Sequence, residues 1–279
     1  MAENQDSNQT VFLATTAINA FWDTTKKMVF LADGCLMHEY NDERESLNYE
    51  VLPSPYCQEK SNAATLEFIN TTYETLLPQV ATILNCLHKL DLSLKSWRII
   101  IGPWLSKYVS VIYDRLLHIN NAYNLYPEIE TTTLDESCFI TCSNTKDFTL
   151  SVNDDSYNLQ LFSQLINAKG YKYNTKKYEI TRRTQNTKLN FMHRLVRRGS
   201  SFMNKVSASF TKDIVLRNSY FPRRIEFRYV LKHFGKIYPS LHRELLRGDA
   251  KLNEAKRQML LGVSFGETDF EKHLSTLLY

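Results

Sequence analysis

Two short stretches concentrate the side chains able to do chemistry. FLATTAINAFWD (12–23) supplies Thr15, Thr16, Trp22 and Asp23, with Asp33 beyond it; WRIIIGPWL (97–105) supplies Arg98, Gly102 and Trp104, with Asp114 and Arg115 further on. A carboxylate in a partly buried loop can be raised toward neutrality, so Asp23 or Asp33 suits the removal of a proton from a substrate hydroxyl. Capping a helix or ordering a turn is the plainer use of either. Arg98 and Arg115 carry the planar fork that grips phosphate or carboxylate through two parallel hydrogen bonds, and an internal acid would satisfy the same fork. Trp22 and Trp104 can stack on a sugar or a base, or simply fill a core.

Those residues need elements to hold them. TVFLATT (10–16) and KMVFLAD (27–33) are short apolar runs that read as buried strands, and the connection between them has room for a turn or two of helix. The result is a parallel β-x-β unit with Thr15, Thr16 and Asp33 at strand carboxyl ends, where open α/β sheets bind their ligands. WRIII reads as a third strand that stops at Gly-Pro and passes into a helix carrying Tyr108, Val111, Ile112 and Leu116. Gly102 permits a tight turn or a close backbone approach, Pro103 suits the first helical position, and the helix amino terminus offers free N–H groups to an anion beside Trp104.

Leu66, Ile69, Tyr73, Leu76, Val80, Ile83 and Leu87 trace one face of a long helix interrupted at Pro78. Residues 40–60 lack a period and read as loop. ESCFITC (136–142) and DFTLSV (147–152) read as strands, Asp154-Asp155 as a polar turn, and 156–168 as an amphipathic helix. DIVLRNSYF (213–221) is a further strand leading to the helix RRIEFRYVLKHFG (223–235). The expected fold is therefore α/β, a Rossmann-like three-layer domain with a mainly parallel sheet. Its organisation runs from an α/β core (1–168) through a basic linker and amphipathic helical segment (169–212), with a stripe at 189–210, to a strand-helix continuation of the same lobe (213–279).

Composition narrows the function classes. GxGxxG, GxxxxGK[ST] and HExxH do not occur, which removes the readily recognised dinucleotide, P-loop and zincin sites. GVSFG (262–266) matches a nucleophile elbow only formally, since a helix-like AKRQMLL precedes it and no partners follow at the required separation. The scattered histidines form no metal set, and five cysteines without a CxxC pair fit neither a zinc ribbon nor a disulfide framework. The longest apolar runs are about half the roughly 20 residues a membrane helix needs, and the polar start MAENQDSNQ lacks a secretory pattern. A cytoplasmic location is expected. Charge is unevenly placed: residues 169–257 hold 23 Lys and Arg against 6 Asp and Glu, the remainder 11 against 24. Such a division expects an anionic partner.

FLATTAINAFWD, VFLADGC and WRIIIGPWL with the later YDR resemble the amino-terminal signature of a bacterial family of transferases encoded among capsule and lipopolysaccharide genes. The resemblance covers most of the chain in outline. It departs at Gly34, where the family carries an aromatic residue before the cysteine, and at Asn218, where it carries an acid. It implies the first lobe of a two-lobed, glycosyltransferase-B-like enzyme about twice this length, with the second lobe in the same polypeptide. No cofactor is implied; a nucleotide-activated sugar is the donor substrate and a carbohydrate or lipid-linked molecule the acceptor. Asp23 and Asp33 would be catalytic, and Thr15, Thr16, Trp22, Arg98, Gly102, Trp104 and Arg115 would bind substrate. The basic segment would rest on the anionic inner face of the membrane. A nucleic-acid-binding module, with Tyr171, Tyr173, Tyr178, Phe191, Phe202 and Phe210 as stacking surfaces, and a catalytically silent scaffold lobe are the alternatives.

Overall fold

A computed structural model describes residues 11–36, 47–56, 59–180, 214–216, 222–233, 237–239, 253–260 and 263–276. The chain divides into two units, residues 1–181 with 251–279 and residues 182–250. The stretch from 213 to 250 therefore groups with most of the basic segment rather than with the α/β core. The expected basic stripe at 189–210 lies outside the described residues.

The first unit is built on a five-stranded, all-parallel sheet in the order β3-β2-β1-β4-β5. The strands are β1 (Val11–Ala14), β2 (Lys27–Phe30), β3 (Tyr49–Val51), β4 (Glu130–Leu134) and β5 (Asn174–Lys176). With helices around the sheet this is the Rossmann-like three-layer α/β arrangement. β1 and β2 run parallel in the register Val11↔Lys27 to Ala14↔Phe30. Phe12–Ala14 and Met28–Phe30 are all buried, so both strands are uninterrupted apolar runs instead of alternating ones, as strands covered on both faces must be.

The helices of this unit are α1 (Glu59–His88), α2 (Leu94–Ile100), α3 (Gly102–Leu125), α4 (Thr145–Ser151) and α5 (Asp155–Lys169). α1 contains Pro78 and presents Tyr73, Leu76, Val80 and Ile83 inward, although Leu66 at the start of the expected stripe is exposed. α1 packs on α3 and α3 on α5. The second unit contains a parallel pair, β6 (Ile214–Leu216) with β7 (Ile237–Pro239), and between them α6 (Arg223–Lys232); β6 and α6 fall within the expected strand 213–221 and helix 223–235. Back in the first unit come α7 (Glu254–Leu260) and α8 (Asp269–Thr276). A capping box starts α8: Glu271 N–H donates to Thr268 Oγ1 while the Glu271 carboxylate accepts from Thr268 N–H. Phe270 then packs against Phe68 and Tyr113.

Three segments expected as strands are not strands. WRIII lies in α2 and the residue after it, because Ser93 caps the helix by accepting from Ser96 N–H at 3.3 Å. A strand would send 97, 99 and 101 to one face; instead Trp97 and Ile101, one helical turn apart, turn inward and Ile99 is 71% exposed. DFTLSV belongs to α4, where Asn144 accepts from Asp147 N–H and the Asp147 carboxylate reaches back to Ser143 N–H. ESCFITC becomes a 3-10 turn (Glu136–Cys138) capped by Asp135, followed by irregular chain. The missed strands are β3, within the aperiodic loop, the threonine-rich β4, β5, within the expected basic linker, and β7, beyond the expected helix 223–235. Thr131 and Thr133 sit inside the sheet because their hydroxyls donate to Leu13 O and Asn174 O on the flanking strands.

Candidate functional site

The centre of the sheet opens at one end. β1 pairs with β4 only at Phe12↔Glu130 and Leu13↔Thr131, at the amino ends, whereas β4 stays paired with β5 through Leu134. The Leu134 N–H on the β1 side donates instead to Ser163 Oγ of α5 at 2.8 Å, and that hydroxyl donates on to Leu159 O at 2.7 Å. The strand order reverses its direction of growth between β1 and β4, so the gap is the topological switch point, where ligands of doubly wound sheets bind. Gln160 holds the loop after β4 in place by accepting from Ile140 N–H and donating to Ile140 O, at 2.8 and 3.0 Å.

Thr15 and Thr16 follow β1 into this opening. They are 6% and 3% exposed, and among the described residues their side-chain hydroxyls have no hydrogen-bond partner. Neither hydroxyl is among the solvent-shielded oxygens without a partner, which among the described residues belong to Tyr123, Gln164 and Asn167, so both are open to water, or to a ligand that replaces it, at this strand end. Trp22 is fixed beside them: its indole N–H donates to Thr16 O at 3.0 Å and its ring meets Phe30 edge-on. That is the work of a wall, holding the loop between β1 and β2 against the sheet.

Asp33 stands exposed at the start of the 3-10 turn (Asp33–Cys35) after β2. Burial pushes the neighbouring Cys35 thiol up to about 11, and the charges of Asp155 and Asp33 act in the same direction. The buried thiol is therefore bracketed by two carboxylates. Asp155, the first residue of α5, is half-buried, and its pKa is raised by desolvation and then by the adjacent Asp154. Asp154 is the cap of α5, accepting from Ser156 N–H at 2.9 Å. A carboxylate raised in this way is suited to general-base work, and sequence reading passed over it as part of a polar turn. The signal was present: Asp-Asp-Ser immediately before an amphipathic run is a helix start.

Three of the expected site residues are occupied elsewhere. Asp23 lies before β2, at the amino edge of the sheet and so opposite Thr15 and Asp33. It accepts from Thr25 N–H and Oγ1 at 3.2 and 2.5 Å and pairs with Lys26, which also reaches Glu130 at the start of β4 at 2.7 Å. The Thr25 hydrogen bond, with help from Lys26, holds its carboxyl below the usual range. Arg98 grips Glu74 of α1 with both fork nitrogens, at 2.6 and 2.7 Å, and lies over the Tyr73 ring. Arg115 pairs with Asp114 and donates from Nε and Nη2 to Asn158 Oδ1 at 3.1 and 3.0 Å, while Asn158 donates to Val152 O and Asp154 O. Arg115 thus braces the turn that presents Asp154 and Asp155, and Tyr56 Oη closes the network by donating to Asp114 at 2.9 Å.

Gly102 and Trp104 belong to a second location. A Cβ on Gly102 would meet Tyr73 Oη at 2.7 Å, so this glycine does serve a close approach. α3 follows α2 through one residue, Ile101, whose N–H donates to Trp97 O and whose carbonyl accepts from Leu105 N–H, both at 2.8 Å. Trp104 stacks on Tyr108 and, with Ile100 and Ile101, lines a cavity of about 300 Å³. Tyr108 touches Phe148 and Phe148 touches Tyr157, an aromatic row that connects the cavity to the first turns of α5.

Asp155→Asn is expected to raise stability at neutral pH. The folded-state pKa of Asp155 lies above its unfolded value, so the native protein binds this proton more tightly and loses stability as pH rises through the interval between the two. The asparagine variant should gain in urea midpoint at pH 7 and lose that gain as pH falls below the unfolded carboxylate range. A gain of equal size at pH 7 and pH 3 would contradict the desolvated carboxylate.

No curated protein and no solved structure matches this chain significantly. A family model does, over residues 11–279, and so spans the Thr15-Thr16 crevice, the Asp155 turn and the Trp104 cavity alike. By that match the chain belongs to the LIC12162 family of transferases.

Proposed function

We propose that this chain is the acceptor-side lobe of a glycosyltransferase-B-like enzyme that moves a glycosyl group from a nucleotide-activated sugar to a carbohydrate or lipid-linked acceptor in surface-polysaccharide synthesis. The observation that carries this reading is the pair of solvent-open hydroxyls, Thr15 and Thr16, that make no hydrogen bond among the described residues at the carboxyl end of the central strand. Neutral hydroxyl donors beside the carboxylates of Asp33 and Asp155 suit a hydroxyl-bearing acceptor. A phosphate would call for cations, and Arg98 and Arg115 are both engaged by carboxylates. The bulk of the donor's contacts is then assigned to a second lobe of the same polypeptide.

In this reading Asp155 takes the proton of the acceptor hydroxyl, with Asp33 as the alternative base. The acceptor oxygen forms its bond to the anomeric carbon as the bond from that carbon to the donor phosphate oxygen breaks, and the nucleotide leaves with the electron pair. Thr15 and Thr16 orient the acceptor. Arg115 and Asn158 act one step back by fixing the turn that carries Asp155.

The second unit supports a place for the protein on an anionic membrane surface. Residues 182–250 carry 16 Lys and Arg against 4 Asp and Glu. On α6, exposed Arg224, Arg228 and Lys232 alternate with exposed Ile225, Tyr229 and Leu231, the mixture that seats a short helix in a headgroup layer. Among the described residues no helix is long and apolar enough to cross a membrane.

Two measurements follow. Nucleotide release from activated sugars in the presence of carbohydrate or lipid-linked acceptors should fall by about 10²-fold or more in Asp155→Asn, with donor KM little changed; full turnover by that variant would remove Asp155 as base. In flotation assays the protein should rise with vesicles containing phosphatidylserine, lose binding with added salt, and ignore neutral vesicles. Binding to single-stranded RNA without vesicle binding would favour the nucleic-acid alternative instead.

A further inference from the structure

The cavity beside α3 has two unlike walls. On one side Ile100, Ile101 and Trp104 are apolar, and Trp104 is held flat by its stack on Tyr108, with centroids 5.2 Å apart and planes at 15°. On the other stand Cys142, Ser143, Asn144 and Thr145, the residues that start α4. Much of the polar wall is committed: Asn144 Oδ1 caps α4, Asn144 Nδ2 donates to Ser143 Oγ, and Ser143 donates to Asp147. The second amide hydrogen of Asn144 and the hydroxyl of Thr145 make no hydrogen bond among the described residues, both residues are exposed, and no ionised side chain lines the space.

A ligand that fits must be neutral, flat and apolar on one face, and hydroxyl-bearing at its rim. A pyranose ring has that division, with axial C–H bonds on a face that stacks on an aromatic ring and equatorial hydroxyls around the edge. The volume of about 300 Å³ sits at the small end of ligand sites and admits a single ring. An alkyl chain would offer no hydrogen-bond partner to the wall of Ser143, Asn144 and Thr145. We propose that this cavity is a saccharide subsite that holds one sugar ring. Resting on the transferase reading above, the ring belongs to the acceptor, at a residue distant from the reacting hydroxyl; the aromatic row from Trp104 to Tyr157 places the cavity and the start of α5 on one continuous packed surface.

Cys142 in the lining and exposed Cys86 outside it supply the test. Iodoacetamide labelling of both thiols is followed by peptide mapping in the presence of glucose, galactose, mannose, rhamnose or N-acetylglucosamine, with decanoate as the apolar probe. At least one sugar should slow Cys142 labelling several-fold at about 100 mM, well above the millimolar affinity of weak sites, and leave Cys86 unchanged. Trp104→Ala should abolish the protection. Thr145→Val, which keeps shape and removes one hydroxyl, should weaken it about fivefold, the worth of one neutral hydrogen bond. Absence of protection by every sugar, protection by decanoate alone, or unaltered protection in Thr145→Val would each overturn the subsite. Nucleotide release is read separately: sugar protection without release keeps the subsite and removes the transfer reading, and release without protection removes the subsite alone.

Discussion

The hydrogen bond from Leu134 N–H to Ser163 Oγ is the contact on which the site depends. In an unbroken parallel ladder that N–H would bond to β1, and the two central strands would remain zipped to their carboxyl ends. A buried backbone N–H cannot be left unpaired; the serine of α5 takes it, and β1 is free to diverge after Leu13. The same helix closes the opening it creates. Its Gln160 holds the loop beyond β4, its Asn158 is locked to Arg115, and its first residue puts Asp155 beside Cys35 at the end of β2. One helix thus sets the width of the crevice and supplies its least solvated carboxylate.

The ionic residues divide by cost. Arg98, Arg115 and Lys26 are each matched to a carboxylate at hydrogen-bond distance, Arg98 with Glu74 on the open surface. Exposed pairs of this kind add little to stability, but each occupies donors that an anionic ligand would need. They brace helices and strand ends. Asp155 departs from this pattern, since the charge nearest it in the chain is another carboxylate and its pKa moves up. A group that weakens the fold in this manner is where function is to be sought, because selection tolerates such a cost at working sites.

Much of the fold was legible in the residues. Continuous apolar runs gave β1, β2 and their parallel pairing, and the switch from such runs to a three-to-four residue period gave α1 and α3. WRIII misleads because three β-branched residues in a row carry the strongest local strand preference, whereas the outcome was decided by a distant partner: Trp97 buries its ring and donates to Asn85 Oδ1 at 2.8 Å on α1. β4 misleads in the other direction, since ETTTL looks polar until its hydroxyls are seen to bond across to neighbouring backbones. For the site, Thr15, Thr16 and Asp33 were placed by a general rule about strand ends. Asp23 entered only as a loop carboxylate that could serve as a base, a property that residue type alone cannot separate from the turn-ordering use it has. Asp155 and Ser163 are set by the packing of α5, which no local pattern encodes.

The carboxyl-edge crevice can be tested without reference to which residue is the base. Hydrogen exchange of the backbone is compared with and without the saccharide acceptor that supports the fastest nucleotide release. Slowed exchange at 15–18, 33–36 and 154–157, with 23–27 and 130–132 unchanged, is the expected result. Slowing at the amino edge around Asp23 and Glu130, with the β1 and β2 carboxyl ends unaffected, would contradict it.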